Sequence, residues 1–128
     1  MVFKLATVDL GDGLFSVSVA GEVDLATAPE LKEALGDVVS SGATGVVVDL
    51  SNATFIDSTT LGVLMGAVKR LHPVGGELVI ACHDPNIRKI FEITLLDRVF
   101  PIYETPGPAV EYLRGSRLRA ASDVSSLG

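Results

Sequence analysis

Apolar and polar residues alternate along two short stretches at the start of the chain. The first covers residues 3–8 and the second covers residues 15–19, and Gly11, Asp12 and Gly13 lie between them. Alternation with a period of two is typical of strands that have one buried and one wet face, and a glycine-rich segment between such strands favours a tight turn. The pattern predicts an N-terminal β-hairpin.

Segments with helical spacing and short continuous apolar runs follow each other along the rest of the chain. Thr27 and Glu30 have the spacing of a capping box, and the apolar residues after them recur every three to four positions. A second amphipathic pattern starts after Asp57 and ends before Pro73. The predicted helices begin near Thr27, after Asp57, after Asp84 and near Ala109.

The apolar runs between these helices predict strands, and the first of them is a continuous β-branched run. They cover residues 45–50, 78–82 and 100–103, and the proline at position 101 places the last of them at an edge of the sheet. Strands that alternate with helices imply parallel crossovers. We therefore expect a single α/β domain over residues 1–113, with the hairpin joined to a mixed, largely parallel sheet and helices packed on it. Residues 114–128 are expected to be a disordered tail.

The composition of the chain argues against several classes of function. The 128 residues carry 10 Lys and Arg against 16 Asp and Glu, a net charge of −6, which argues against binding to nucleic acid. A single cysteine, Cys82, excludes an internal disulfide and fits a reducing compartment. The start of the chain shows no signal peptide, and no apolar run is long enough to span a membrane. These features predict a cytoplasmic protein without a membrane partner.

Signatures of enzymes are missing. The sequence contains none of the common phosphate-binding, dinucleotide-binding, serine hydrolase or zinc protease motifs. Cys82, His83 and Asp84 include the residue types of a thiol dyad, but neighbours on an extended chain point to opposite faces. His72 is explained by its favourable charge at a helix C-terminus. We predict no catalytic residues, no metal site and no cofactor.

Three consecutive hydroxyl residues at the start of the second helix are the most informative feature. One hydroxyl is enough to cap a helix, and Ser58, Thr59 and Thr60 are not strong helix formers. At about 100° per residue, Leu61, Leu64, Met65 and Val68 face inward. The outward face then carries Thr59, Gly62, Val63, Gly66 and Arg70. Such a smooth, weakly polar face indicates that another surface packs there, either a partner or a neighbouring helix of the same chain.

Four segments together resemble a STAS domain, and the length of the chain resembles the stand-alone bacterial anti-sigma factor antagonists. They are Gly21 to Asp24 with Ala28, Val47 to Ser51, Phe55 to Thr59 with Leu61 and Gly62, and Leu95 to Phe100. The resemblance covers residues 3–113. Thr60 stands where the family usually has glycine, and Leu95 stands where a glycine commonly precedes Leu-Asp.

The resemblance implies a binding switch. The unmodified protein would bind an anti-sigma factor that is also a serine kinase and so release a sigma factor, and phosphorylation of Ser58, less so of Thr59 or Thr60, would end that binding. A PP2C-type phosphatase is a further implied partner. The partner-binding residues are then expected to be Asp24, Asp57, Ser58, Thr59, Gly62, Val63 and Gly66.

Two functions of other classes stay open at this point. A receiver-like phosphoacceptor would use Asp49, but it needs an acidic pair after the first strand and a lysine after the last, and both are missing. A module that senses a small ligand or a nucleotide would use the loops at Asp24, Asp57 and His83 as its pocket, although no glycine loop is present to hold a phosphate.

Overall fold

The computed structural model describes residues 3–127, and it describes side chains for residues 3–116. Strands and helices alternate after an opening hairpin, as the sequence predicts. The strands are β1 (Lys4–Gly11), β2 (Leu14–Val23), β3 (Gly45–Ile56), β4 (Glu77–Ala81) and β5 (Ile102–Tyr103). The helices are α1 (Ala28–Ser40), α2 (Ser58–Leu71), α3 (Pro85–Ile93) and α4 (Pro106–Leu127), with short 3-10 turns at His72–Val74 and Leu96–Arg98.

The five strands form one sheet in the order β1-β2-β3-β4-β5. The hairpin strands β1 and β2 are antiparallel, and every other neighbouring pair is parallel. The prediction of an α/β domain with a mixed, largely parallel sheet is confirmed. The short strand β5 lies at an edge of the sheet. Pro101, directly before it, has no N–H group, and at an edge this missing donor does not interrupt the hydrogen bonding between strands.

Hydrophobic cores cover both faces of the sheet. Successive residues of the central strand β3 point to opposite sides, so Val46 and Val48 pack under α1, α2 and α3, while Val47 joins the core beneath α4 with Ala109 and Leu113. This arrangement explains why the run of valines in β3 is continuous rather than alternating. Helices on both faces also leave the carboxyl ends of the strands open at one edge of the sheet.

Two expectations about local structure are wrong. Residues 51–58 after the apolar run 45–50 were expected in a loop, but β3 continues to Ile56 because its pairing with β2 extends to Val23 and Ile56. Thr27 was expected to form a capping box with Glu30. Its side chain makes no cap for α1. The Thr27 hydroxyl instead donates to the Glu22 carbonyl at 2.9 Å and so closes the turn before the helix.

Helix α4 is longer than predicted. A helix was expected over residues 109–113, and α4 spans Pro106–Leu127. The side chains from residue 117 onward, which make up most of the predicted tail 114–128, lie outside the described residues. The domain limit at residue 113 therefore stays a prediction. Within the described part of the chain, no helix is both long and apolar enough to cross a membrane.

Candidate functional site

The parallel pairing of β2 and β3 determines where the site forms. Val23 and Ile56 are paired at the ends of the two strands. Asp24 and Asp57 come directly after them, so both residues leave the sheet at the same edge. This is the edge at which parallel α/β sheets place their functional loops. The structure thus brings together two of the residues that the sequence singled out.

Asp57 is the N-cap of α2. Its Oδ1 atom accepts hydrogen bonds from the backbone N–H groups of Thr59 at 3.0 Å and Thr60 at 3.2 Å. Two amides of the first turn, which would otherwise lack partners, are thereby satisfied. A further negative charge at this helix start would meet the Asp57 carboxylate as well as the positive end of the helix dipole.

Thr60 completes the cap and links it to β2. The side chain is fully buried. The hydroxyl accepts from the Asp57 N–H at 3.5 Å and donates to the Val23 carbonyl at 3.0 Å. Because Val23 precedes Asp24, this one hydroxyl ties the start of α2 to the start of the Asp24 loop. The residue that departs from the family pattern is therefore built into the site.

Ser58 and Thr59 differ from Thr60 in exposure. Ser58 is exposed, and within residues 3–116 its hydroxyl makes no hydrogen bond. Thr59 is half-buried and points along the outward face of α2. Of the three hydroxyl groups, only that of Ser58 stands free in solvent at the mouth of the helix.

The Asp24 carboxylate forms hydrogen bonds within its own loop. Its Oδ1 atom accepts from the N–H groups of Ala26 at 3.0 Å and Thr27 at 3.1 Å. The Thr27 hydroxyl in turn accepts from the Asp24 N–H at 2.9 Å. These bonds give the connection between β2 and α1 a defined shape. Asp24 acts there as a structural residue that holds Leu25, which is 76% exposed, out toward solvent.

A groove runs between α1 and α2 and begins beside this cluster. Its volume is about 610 Å³. The α2 side contributes every residue of the predicted outward face, and the α1 side adds apolar and small residues with one lysine. The lining consists of Leu25, Ala28, Pro29, Lys32, Leu35, Gly36, Thr59, Gly62, Val63, Gly66, Ala67 and Arg70. The neighbouring helix thus flanks the smooth face of α2 without covering it.

The contribution of α1 was missed by the sequence reasoning. Pro29, Lys32 and Gly36 follow each other at spacings of three and four, which places them on one face of a helix. That spacing was a usable signal. The helix prediction for α1 rests on its buried apolar positions alone, which do not include these three residues.

His83 does not lie beside Asp24 and Asp57. It follows β4 and lines a separate cavity with Arg88, Lys89 and Glu104, among others, and neither Asp24 nor Asp57 lines that cavity. The small-ligand alternative needs Asp24, Asp57 and His83 in one pocket, and neither this cavity nor the groove between α1 and α2 brings them together. In the described part of the chain, no cluster of His, Cys, Asp and Glu side chains could hold a metal ion.

Cys82 does not have the environment of a reactive thiol. Its side chain is fully buried at the end of β4. Burial raises the pKa of the Cys82 thiol, and the Sγ atom donates a weak hydrogen bond to the Asp84 carbonyl at 3.8 Å. A neutral, enclosed thiol is a poor nucleophile. The neighbouring Asp84 carboxylate caps α3 by accepting from the Asn86 N–H at 2.8 Å.

The family follows from a match that spans most of the fold just described. The family model of the STAS domain matches residues 6–109. The chain belongs to the STAS domain family. The match includes both strands that lead into the site, the groove between α1 and α2, and the positions of Thr60 and Leu95.

Relatives within the STAS family share a common description. An anti-sigma-B factor antagonist of Staphylococcus aureus is 37% identical over 93 residues, which cover 73% of this chain and 86% of the relative. The crystal structure of an anti-sigma factor antagonist from Mycobacterium paratuberculosis superposes with a TM-score of 0.80 at 34% identity, covering 88% of this chain and 95% of that one. The unphosphorylated form of the anti-sigma factor antagonist SpoIIAA shares the fold, with a TM-score of 0.69, 21% identity and coverage of 89% and 99%.

Proposed function

We propose that this STAS protein is an anti-sigma factor antagonist, a regulatory binding protein rather than an enzyme. The unmodified form binds an anti-sigma factor of the serine kinase type and releases the sigma factor, and phosphorylation of Ser58 abolishes that binding. The relatives described as antagonists of anti-sigma factors support the first part. The observation that carries the second is the free, exposed hydroxyl of Ser58 at the start of α2.

Exposure favours Ser58 over its two neighbours as the acceptor. A kinase needs the hydroxyl to reach the γ-phosphate in line, which a buried side chain cannot do. Thr60 is fully buried, and its hydroxyl is engaged with Val23 and Asp57. Thr59 is half-buried beside the groove. Phosphorylation of Thr60 would require the start of α2 to open, and the Thr59 hydroxyl is less accessible to a kinase than that of Ser58.

The direction of the switch follows from charge. A phosphate adds about −1.5 to −2 charges at neutral pH. Two amides of the first turn already bind Asp57, so the added charge is compensated only in part by the helix. A partner surface fitted to a neutral hydroxyl would have to bury a charge without a counterion. Such a mismatch costs several kcal/mol, which corresponds to a loss of affinity of about a hundredfold or more.

The partner surface extends from Ser58 along α2. Thr59, Gly62, Val63 and Gly66 form the outward face that continues from it, and the Asp24 loop lies next to its start. A PP2C-type phosphatase that removes the phosphate from Ser58 would restore binding and reset the switch. These events take place in the cytoplasm, where sigma factors act.

The first experiment combines phosphosite mapping with binding. The protein is incubated with its anti-sigma factor kinase and ATP, and mass spectrometry is expected to find phosphate on Ser58. Calorimetry should show wild-type affinity for Ser58→Ala and a loss of about a hundredfold or more for Ser58→Glu, since only the second places charge at the interface. Thr7→Glu adds the same charge to the exposed strand β1 and serves as the matched control.

Either of two results would contradict the switch. One is phosphate found chiefly on Thr59 or Thr60. The other is equal affinity of Ser58→Ala and Ser58→Glu for the anti-sigma factor. A loss of affinity in Thr7→Glu as large as that in Ser58→Glu would point to net charge rather than to the position of Ser58.

A further inference from the structure

The floor of the groove between α1 and α2 is apolar and open. An added Cβ at Gly62 or Gly66 would meet no heavy atom within 4 Å, so neither glycine is needed for packing inside the chain. From Thr59 to Arg70 the groove follows α2 over twelve residues, a rise of about 16 Å at 1.5 Å per residue. A volume of about 610 Å³ lies within the range typical of small-molecule sites.

The charged groups of the groove are all of one sign. Lys32 and Arg70 are cations, and the lining contains no carboxylate. An Arg70 Nη atom contacts the hydroxyl of Ser40 at 3.4 Å, which places the guanidinium across the end of the groove. Among residues 3–116, neither cation forms an ion pair with an acidic side chain of the chain.

Both cations flank an apolar floor, and no acidic side chain of the lining neutralises them. Apolar surface favours a hydrocarbon body, and an arginine and a lysine that line the same groove favour a carboxylate, which arginine can hold through two hydrogen bonds. We propose that this groove binds a small apolar carboxylate, with its hydrocarbon along Gly62, Val63 and Gly66 and its carboxylate between Lys32 and Arg70.

Such a site would couple a metabolite to the switch. Thr59 lines the groove and is the residue directly after Ser58. A ligand in the groove therefore occupies part of the face of α2 to which the proposed function assigns protein binding. Ligand and protein partner are expected to compete. The binding site itself does not depend on that function and is tested on the isolated protein.

Decanoate, 1-decanol and decylamine serve as probes, because they share one hydrocarbon chain and differ in the charge of the head group. Binding is followed by NMR chemical shifts of the uniformly labelled protein, below the concentrations at which the probes aggregate. Decanoate is expected to saturate at millimolar concentration or below, with the largest shifts in residues that line the groove. At equal concentration, below the solubility limit of the neutral alcohol, 1-decanol should cause much smaller shifts than decanoate, and decylamine should not saturate.

Variants separate the two parts of the site. Lys32→Gln combined with Arg70→Gln should lower the affinity for decanoate about tenfold and leave the shifts caused by 1-decanol unchanged. Gly66→Leu fills the floor and should abolish binding of both. Lys69→Gln removes an exposed charge outside the groove lining, and Gly107→Leu adds the same side chain to a glycine of α4 that also has open space around it. Neither control should change binding.

Three results would overturn the site. One is the absence of saturable binding of decanoate at millimolar concentration. Another is undiminished binding to Gly66→Leu. The third is shifts confined to the exposed apolar residues Ile93, Leu95 and Val99 near the end of α3, which would mean adsorption to that surface. These outcomes leave the Ser58 switch untouched, and failure of the switch leaves the site in place.

Discussion

Positions 60 and 95 are the two places where the family resemblance leads one to expect glycine, and the chain carries Thr60 and Leu95 there. The two residues differ in backbone conformation and in the contacts of their side chains. Thr60 lies in the first turn of α2 with its hydroxyl bonded on two sides. Leu95 has a φ of 62° and is 56% exposed. One replacement of glycine adds contacts, and the other forces a branched side chain into a left-handed conformation.

The local backbone explains the difference between the two positions. Leu95 follows Thr94, the C-cap of α3, and its N–H donates to the Glu92 carbonyl at 3.1 Å. A residue directly after a helix often adopts the left-handed conformation, and glycine does so at the lowest cost. For other residues the conformation costs roughly 1–2 kcal/mol. At position 60 the backbone is helical, so glycine there has no conformational advantage and threonine has no penalty of this kind.

The largest expected effect comes from placing glycine at position 60. Thr60→Gly removes a buried hydroxyl that serves Val23 and Asp57 and puts glycine into a helix. Together these changes should lower the free energy of unfolding by roughly 2–3 kcal/mol, measured by urea denaturation. Thr60→Ser, which keeps the hydroxyl, is the control and should lose about 1 kcal/mol, the cost of one buried methyl group. If both variants lose the same amount, the hydrogen bonds of Thr60 contribute nothing to stability.

Glycine at position 95 is expected to act in the other direction, with a smaller effect. Leu95→Gly relieves the left-handed conformation but adds freedom to the unfolded chain, so the net gain should be about 0.5–1 kcal/mol. Asp12 is the matched control, because among the described residues it is the other non-glycine residue with positive φ, at 57°. Aspartate tolerates this conformation, and Asp12→Gly should change stability little. A melting temperature that falls in Leu95→Gly would mean that the leucine side chain stabilises the fold.

Sequence reasoning succeeded where the determining contacts are local. Helix α2 begins directly after Asp57 as predicted, although Asp57 caps it and not one of the hydroxyl residues, and the valines of β3 are buried on both faces as their continuous run predicts. It failed where a side chain bonds to a residue that is distant in sequence, or where the pairing of strands determines the structure. The bond from Thr60 to Val23 spans 37 positions, and the pairing of β2 with β3 that produces it is not visible in local spacing. The same holds for the groove, whose second wall comes from α1.

The smallest expected effect is the coupling between the two positions. Thr60 is held by Val23 and Asp57, whereas the turn at Leu95 closes through Glu92 and Arg98, so the two sites share no hydrogen-bond partner. The stability change of the double variant Thr60→Gly with Leu95→Gly should therefore equal the sum of the single changes within about 0.5 kcal/mol. Urea denaturation of all four proteins measures this. A larger coupling energy would mean that the strained turn after α3 and the start of α2 are structurally linked. The conformation at Leu95 would then influence the position of the Ser58 hydroxyl.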